Sequence, residues 1–441
     1  MRYKKSMNQK PIAIIGAGIA GLTAANYLHQ KNVPFVLYEA GKKIAGLASS
    51  FKDAEGFSYD FGAHFVTNRL AAMLGVSGDC KPVKHYSETV LLGGKTYSYP
   101  FGLMKIPRMT FSGIKSQLSS NGKEKTAQNW FRSRYGKALA DEVALPLIEA
   151  WSGAKAAELS SSVGESLPGS IAKTLYLKIA GKILKRAVCI GYSRELPENP
   201  NVWHVYPNNG VSTLCEKLAE NLHDKIKLES PIEEILVENE KVVAVRSKGE
   251  ITHVSAVIST APAPILAKIT KGTDKLQKFS KFRYRPMTFV NMRFEGRGLL
   301  PDVVLWLPEN KYPFFRLTEA TLSMPWLAPE GKTIITVDIG CEKDDEFWTM
   351  DNEKLGEFCL EHLTSIIPNA KEKYLGCHTL RTPISYPVFL KDYEQERLDF
   401  EKGTGIENLL SVGRNGEFSH IFMEDVYWRT LQKVRRLIEL L

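Results

Sequence analysis

The 441-residue sequence predicts an α/β fold built from two domains, one of them discontinuous. Three stretches predict it. Residues 12–25 read Ile-Ala-Ile-Ile-Gly-Ala-Gly-Ile-Ala-Gly-Leu-Thr-Ala-Ala, an apolar run that turns through three glycines into small and apolar residues. Residues 35–39, Phe-Val-Leu-Tyr-Glu, form a second apolar run ending in an acid. Residues 408–426, Asn-Leu-Leu-Ser-Val-Gly-Arg-Asn-Gly-Glu-Phe-Ser-His-Ile-Phe-Met-Glu-Asp-Val, give another strand, glycine turn and helix start near the far end of the chain.

The first stretch has the spacing that a dinucleotide asks for. Four apolar residues read as a buried parallel strand. Gly16 makes the turn, Gly18 lets backbone approach a pyrophosphate, and Gly21 lets the helix pack close on the strand. The free N–H groups and positive end of that helix, at Ala17, Ile19 and Ala20, then face the phosphates. Glu39 follows Gly21 by 18 residues, near the roughly 20 expected of the acid that takes the ribose hydroxyls. Its charge would repel a 2′-phosphate, which argues against NADP. The predicted domain is therefore Rossmann-like. Gly413 allows a close backbone approach, and the donor fork of Arg414 can neutralise a pyrophosphate.

Composition narrows the class. Apolar residues make up 44% and charged residues 24%, ordinary for a globular protein. The net charge of +9 suits an anionic small-molecule substrate or a membrane surface, and equally a plain solvated exterior. No lysine or arginine block is long enough for a nucleic-acid arm. The six cysteines, at 80, 189, 215, 341, 359 and 377, form no CxxC, so neither a metal site nor a disulfide framework is expected. No apolar run of about 18 residues is present and the polar N-terminus does not read as a signal peptide, so a cytoplasmic protein is expected.

Two further elements identify a family. Ala40-Gly41-Lys-Lys-Ile-Ala-Gly46-Leu47-Ala48 lets backbone run close to something extended, and Asp60-Phe-Gly62-Ala63-His64 ends an alternating stretch. With the first turn, these resemble FAD-dependent amine-oxidase-like flavoproteins, a group that includes protoporphyrinogen oxidases, carotenoid desaturases and UDP-galactopyranose mutases. The Gly413-Arg414…Met423-Glu424-Asp-Val426 stretch resembles the Gly-Arg-x-Gly…Met-Asp-x-Val pattern of the oxidase and mutase branches, with Glu424 where Asp is usual. The resemblance implies FAD as cofactor. It places Gly16 to Gly21, Glu39, Ala40, Gly46, Leu47, Ala48, Gly62, Ala63, His64, Ile232, Gly413, Arg414, Met423, Glu424 and Val426 against it.

The stretches between carry the candidate substrate residues. Arg316 in Arg-Leu-Thr-Glu, and Tyr386 in Tyr-Pro-Val, resemble segments of the mutase branch, whose arginine helps hold a sugar-nucleotide diphosphate. Tyr393 follows. Arg316 among aromatics needs an anionic ligand or a local acid such as Glu319. His64, Arg316 and Tyr386 are the catalytic candidates, each with a plain alternative: a satisfied core histidine, an ion pair, core packing. Residues 126–151 read as one helix. In 171–191, Leu175, Ile179, Ile183 and Leu184 share a helical face amid lysines. Such a helix packs on its own domain or lies peripherally on anionic lipid, and the packed arrangement is the commoner.

The expected division is an FAD domain from residues 1–75, 197–283 and 377–441, and a mixed α+β substrate domain from 76–196 and 284–376. The function this implies is an FAD-dependent oxidoreductase that passes substrate hydride to flavin N5. Arg316 and Tyr386 keep a second reading open, a non-redox sugar-nucleotide mutase using reduced flavin. A flavin-bearing binding protein is a third.

Overall fold

The computed structural model describes residues 10–119, 124–166 and 171–441. A five-stranded parallel sheet runs in the order Ile226–Lys227, Phe35–Tyr38, Ile12–Ile15, Ala256–Ser259, Leu409–Ser411. The strand predicted first in the chain is its centre. Ile12 pairs with Phe35 on one side and Ala256 on the other, and Val257 with Leu409. Apart from the edge strand Ile226–Lys227, these strands are largely buried and, but for Ser259 and Ser411, apolar without alternation. Helix Ile19–Gln30 covers one face and packs on the C-terminal helix Met423–Leu440, so both ends of the chain share one core.

The glycine turn explains the tightness of this packing. Gly16 sits at φ +94° and its N–H donates to the Tyr38 carbonyl at 2.7 Å. A Cβ on Gly21 would overlap the Gly16 carbonyl oxygen. The helix can lie against its own strand only because residue 21 has no side chain.

The second large sheet has seven strands, ordered Tyr374–Val388, Arg283–Glu295, Lys332–Gly340, Arg316–Glu319, Val304–Trp306, Glu88–Leu92 and Lys95–Ser98. It is antiparallel except where Val304–Trp306 runs parallel to Glu88–Leu92. Strands forecast at 287–294, 303–307 and 333–339 all lie in it. A four-stranded sheet over residues 232–271 and short strands at Val66–Thr67, Cys80–Pro82 and His204–Pro207 complete the framework. The architecture is the mixed α/β one that the sequence predicts.

Two expectations need correction. Residues 126–151 are not one helix: Ala127–Tyr135 ends at Gly136, at φ +83°, and helical chain resumes through a π-turn at Ala140–Ala144 into Leu145–Ser152. A Cβ on Gly136 would collide with the backbone at Ser112, so the break lets helix Pro107–Ser119 cross closely. In helix Ile171–Leu184, Leu177 is buried, whereas Leu175, Ile179, Ile183 and Leu184 are exposed. The face expected to pack on its own domain points outward.

Gly21→Ala is expected to lower stability by about 3 kcal/mol, because the new methyl has no room without parting helix from strand. Chemical denaturation of the purified variant measures it.

Candidate cofactor cradle and substrate cavity

The parallel sheet brings the first set of residues together at the carboxyl ends of its strands, where ligands of open α/β sheets bind. Gly18 is the N-cap of helix Ile19–Gln30, and no side chain caps it. The helix end is left for a ligand to satisfy. A Cβ built on Gly18 would meet only the Ala45 carbonyl, at 3.9 Å, so the space above it is open. Gly46, at φ +52°, faces Gly18 across a bridge between Gly18 and Ala45, and the Ala45 N–H donates to the Ala17 carbonyl at 2.8 Å.

Glu39 accepts the Ala17 N–H and the Gly41 N–H, both at 2.7 Å, one on each carboxylate oxygen. These bonds fix the carboxylate at the carboxyl end of strand Phe35–Tyr38, and each oxygen keeps a lone pair for a hydroxyl donor. Ser230 donates its N–H to the Glu39 carbonyl at 2.8 Å, which brings the 230–232 segment alongside; Ile232 itself is buried. Gly413, at φ +84°, seats against Ala20, where a Cβ would come within 2.9 Å.

The second set lines a cavity of about 750 Å³, its open mouth included. Leu47, Ala63, His64, Arg316, Tyr386 and Arg414 meet there, joined by Phe61, Phe65, Tyr86, Tyr192, Val304, Trp306, Ser385 and Phe422. Leu47 and Arg414 also adjoin the glycine cradle, being next to Gly46 and Gly413 in sequence, so the two sets are continuous. Gly62, at φ +81°, lies beneath: its Cβ would press to 2.9 Å from Phe289 and 3.5 Å from the Arg316 guanidinium.

Adjacent strands place Trp306, Arg316 and Asp338 side by side in register. Arg316 is ion-paired to Asp338 rather than to Glu319. Its guanidinium also lies 5.4 Å over the Trp306 ring. Glu319 accepts instead from the N–H groups of Gly298 and Leu300, at 2.7 and 2.8 Å. Burial pulls Arg316 towards losing its proton, but Asp338, with Tyr386 and Tyr86, outweighs burial and holds the guanidinium charged. Arg414 lies 5.1 Å over the Tyr386 ring, and no carboxylate among the described residues bonds to it. Burial lowers its pKa, with Tyr386 acting in the opposite sense.

His64 Nδ1 is 3.6 Å from Asp60 Oδ2 and makes no hydrogen bond there. Asp60 is engaged by Ser50 Oγ at 2.7 Å and Tyr206 OH at 2.5 Å. Glu88 accepts from Tyr86 OH at 2.5 Å and from Trp306 Nε1 at 2.9 Å. Burial raises the Tyr86 and Tyr192 phenols, keeping both as neutral donors. Burial likewise pushes His420, beside Trp151 and Phe389, down to about 3 and leaves it neutral.

One expected substrate residue is not brought to the cavity, and three expected cofactor residues are engaged by other parts of the chain. Tyr393 is buried among Phe282 and Phe418 and donates to the Val388 carbonyl. Glu424 is taken by Arg69, at 2.7 and 2.9 Å. Met423 packs on the core and Val426 lies within it. Of the residues missed, Val304 and Trp306 had a signal: they alternate along a forecast strand and so share a face. Tyr192 and Phe422, stacked at 4.8 Å from distant parts of the chain, had none.

This geometry fits FAD. The uncapped helix end, the open glycine cradle, the fixed carboxylate and an arginine without an acid match its phosphates, ribose and ring edge. Comparison with known proteins agrees. Residues 19–408 match the family of flavin-containing amine oxidoreductases, and the chain belongs to that family. It is an FAD-dependent enzyme. Protoporphyrinogen oxidase 2 of Arabidopsis thaliana is 22% identical, the alignment covering 84% of this chain and 81% of the relative. A reduced UDP-galactopyranose mutase superposes with a TM-score of 0.79 at 18% identity, covering 98% of this chain and 96% of the other. A putative protoporphyrinogen oxidase from Exiguobacterium sp. 255-15 superposes with a TM-score of 0.75 at 17% identity, covering 99% and 100%.

Gly18→Val is expected to fold, since its Cβ meets nothing closer than 3.9 Å, yet to retain less than about a tenth of the flavin. Absorbance of the purified variant, beside its circular dichroism, checks both halves.

Proposed function

We propose that the protein is an oxidoreductase that takes hydride from a small-molecule substrate carrying an anionic group. In this reading residues 1–75, 197–283 and 377–441 hold FAD, and 76–196 with 284–376 shape the substrate side. All five parallel strands fall within the first three segments, which supports the division, while strand Tyr374–Val388 belongs to the seven-stranded sheet and carries the substrate side past the expected boundary at 377. The observation that carries the proposal is the cavity itself: aromatic walls, two guanidiniums, and continuity with the cradle at Leu47 and Arg414.

Bound FAD supplies the hydride-accepting chemistry. The Gly16–Gly21 turn and Arg414 would hold the phosphates and Glu39 the ribose. Trp306, Tyr86 and Tyr192 exclude water from the substrate. Arg316, kept charged and immobile by Asp338, orients the anionic group. Among the described cavity residues His64 is the histidine, its Nδ1 is unbonded, and it is placed to hold or move a proton.

The pairing of two guanidiniums in one cavity also favours a second reading, a sugar-nucleotide mutase in which Arg316 and Arg414 share a diphosphate. Anaerobic mixing separates the two. Bleaching of the flavin by a carboxylate-bearing substrate such as a porphyrinogen, and not by a simple amine or an uncharged polyene precursor, is the expected result. Turnover of a nucleotide sugar only after dithionite reduction, with no bleaching by the porphyrinogen, would replace the oxidoreductase by the mutase.

A further inference from the structure

The outward face of helix Ile171–Leu184 does not stand alone. Lys178 Nζ donates to the Tyr99 carbonyl at 2.8 Å and lies 5.6 Å over the Phe101 ring. This joins the helix to the segment that leads into helix Pro107–Ser119. That second helix also turns apolar side chains to solvent: Phe111 is 73% exposed and Ile114 58%. On the first helix Leu175, Tyr176, Ile179 and Ile183 are exposed, Ile183 by 75%. Their spacing of i, i+1, i+4 and i+8 puts them on one face. Large apolar side chains exposed singly need no explanation, but a clustered set marks a surface that something covers.

The charge around this cluster says what covers it. Residues 99–119 hold three lysines or arginines and residues 171–191 hold five, with no aspartate or glutamate in either segment. The acids that face them from neighbouring elements are few. Glu142 takes Arg108 at 2.5 Å, and Glu198 comes within 4.0 Å of Lys173. Among the described residues no acid pairs with Lys182 or Lys185, which flank the apolar face. A protein partner would need a matching acidic groove. A flat anionic surface with an apolar interior matches both features at once, apolar side chains entering and lysines reaching headgroups. No described helix is long and apolar enough to cross a bilayer, so the contact lies in the interface plane.

We propose that helices Ile171–Leu184 and Pro107–Ser119 form a docking surface for anionic phospholipid bilayers. The test is sedimentation of the purified holoprotein with vesicles of phosphatidylcholine containing about a third phosphatidylglycerol, beside pure phosphatidylcholine vesicles, at low and high salt. The expected result is pelleting with the anionic vesicles, weakened by salt, and at least about tenfold less with the neutral ones. Ile179→Ser with Ile183→Ser, and separately Lys182→Glu with Lys185→Glu, are each expected to cut binding about tenfold with flavin content unchanged. Failure to pellet with anionic vesicles would overturn the proposal. So would variants that bind as well as the parent, or a concentration-dependent dimer that the isoleucine substitutions abolish, which would make a second copy the occupant. Binding is read without substrate, so the result stands apart from the reaction proposed above.

Discussion

One steric constraint places everything near the cavity. Helix Ile19–Gln30 leaves strand Ile12–Ile15 so sharply that residue 21 has no room for a side chain. That closeness aims the uncapped helix end along the strand ends. It also sets the level at which Gly46 can face Gly18 and Gly413 can seat on Ala20. The C-terminal helix packs on the same first helix, so Arg414 comes to the cavity from a position hundreds of residues away in sequence.

The cavity then divides its charges by function. Arg316 is neutralised where it stands, by Asp338 opposite it in register. A buried pair of this kind is a weak source of stability, since desolvation offsets most of the attraction. What it secures is a fixed guanidinium among aromatic rings. Among the described residues no carboxylate bonds to Arg414, which lies against the Tyr386 ring instead. The two arginines, one on an aromatic strand and one in a glycine turn, differ electrostatically because their neighbours differ.

Local chemistry made half of this legible. Glycine spacing, the acid at position 39 and the apolar runs act over a few residues, so the parallel sheet, its cradle and the alternating strands of the second sheet were readable. Partners separated by long stretches were not. Arg316 with Asp338, Glu424 with Arg69, and Tyr192 with Phe422 depend on how distant segments meet. Tyr393 is expected at the site because it follows Tyr386, which lines the cavity, yet the chain turns at Leu390 and buries it. The helix break at Gly136 arises from another helix crossing it, which periodicity cannot register.

The central claim is that the glycine turn and Glu39 grip the adenosine diphosphate half of FAD. Equilibrium titration of the apoprotein with FAD and with FMN, which lacks the adenylate, tests it most directly. The account predicts one FAD per chain, and FMN weaker by about 100-fold, the equivalent of two charge-assisted hydrogen bonds at about 1.5 kcal/mol each. FMN binding as tightly as FAD, or no binding of either flavin, would contradict it.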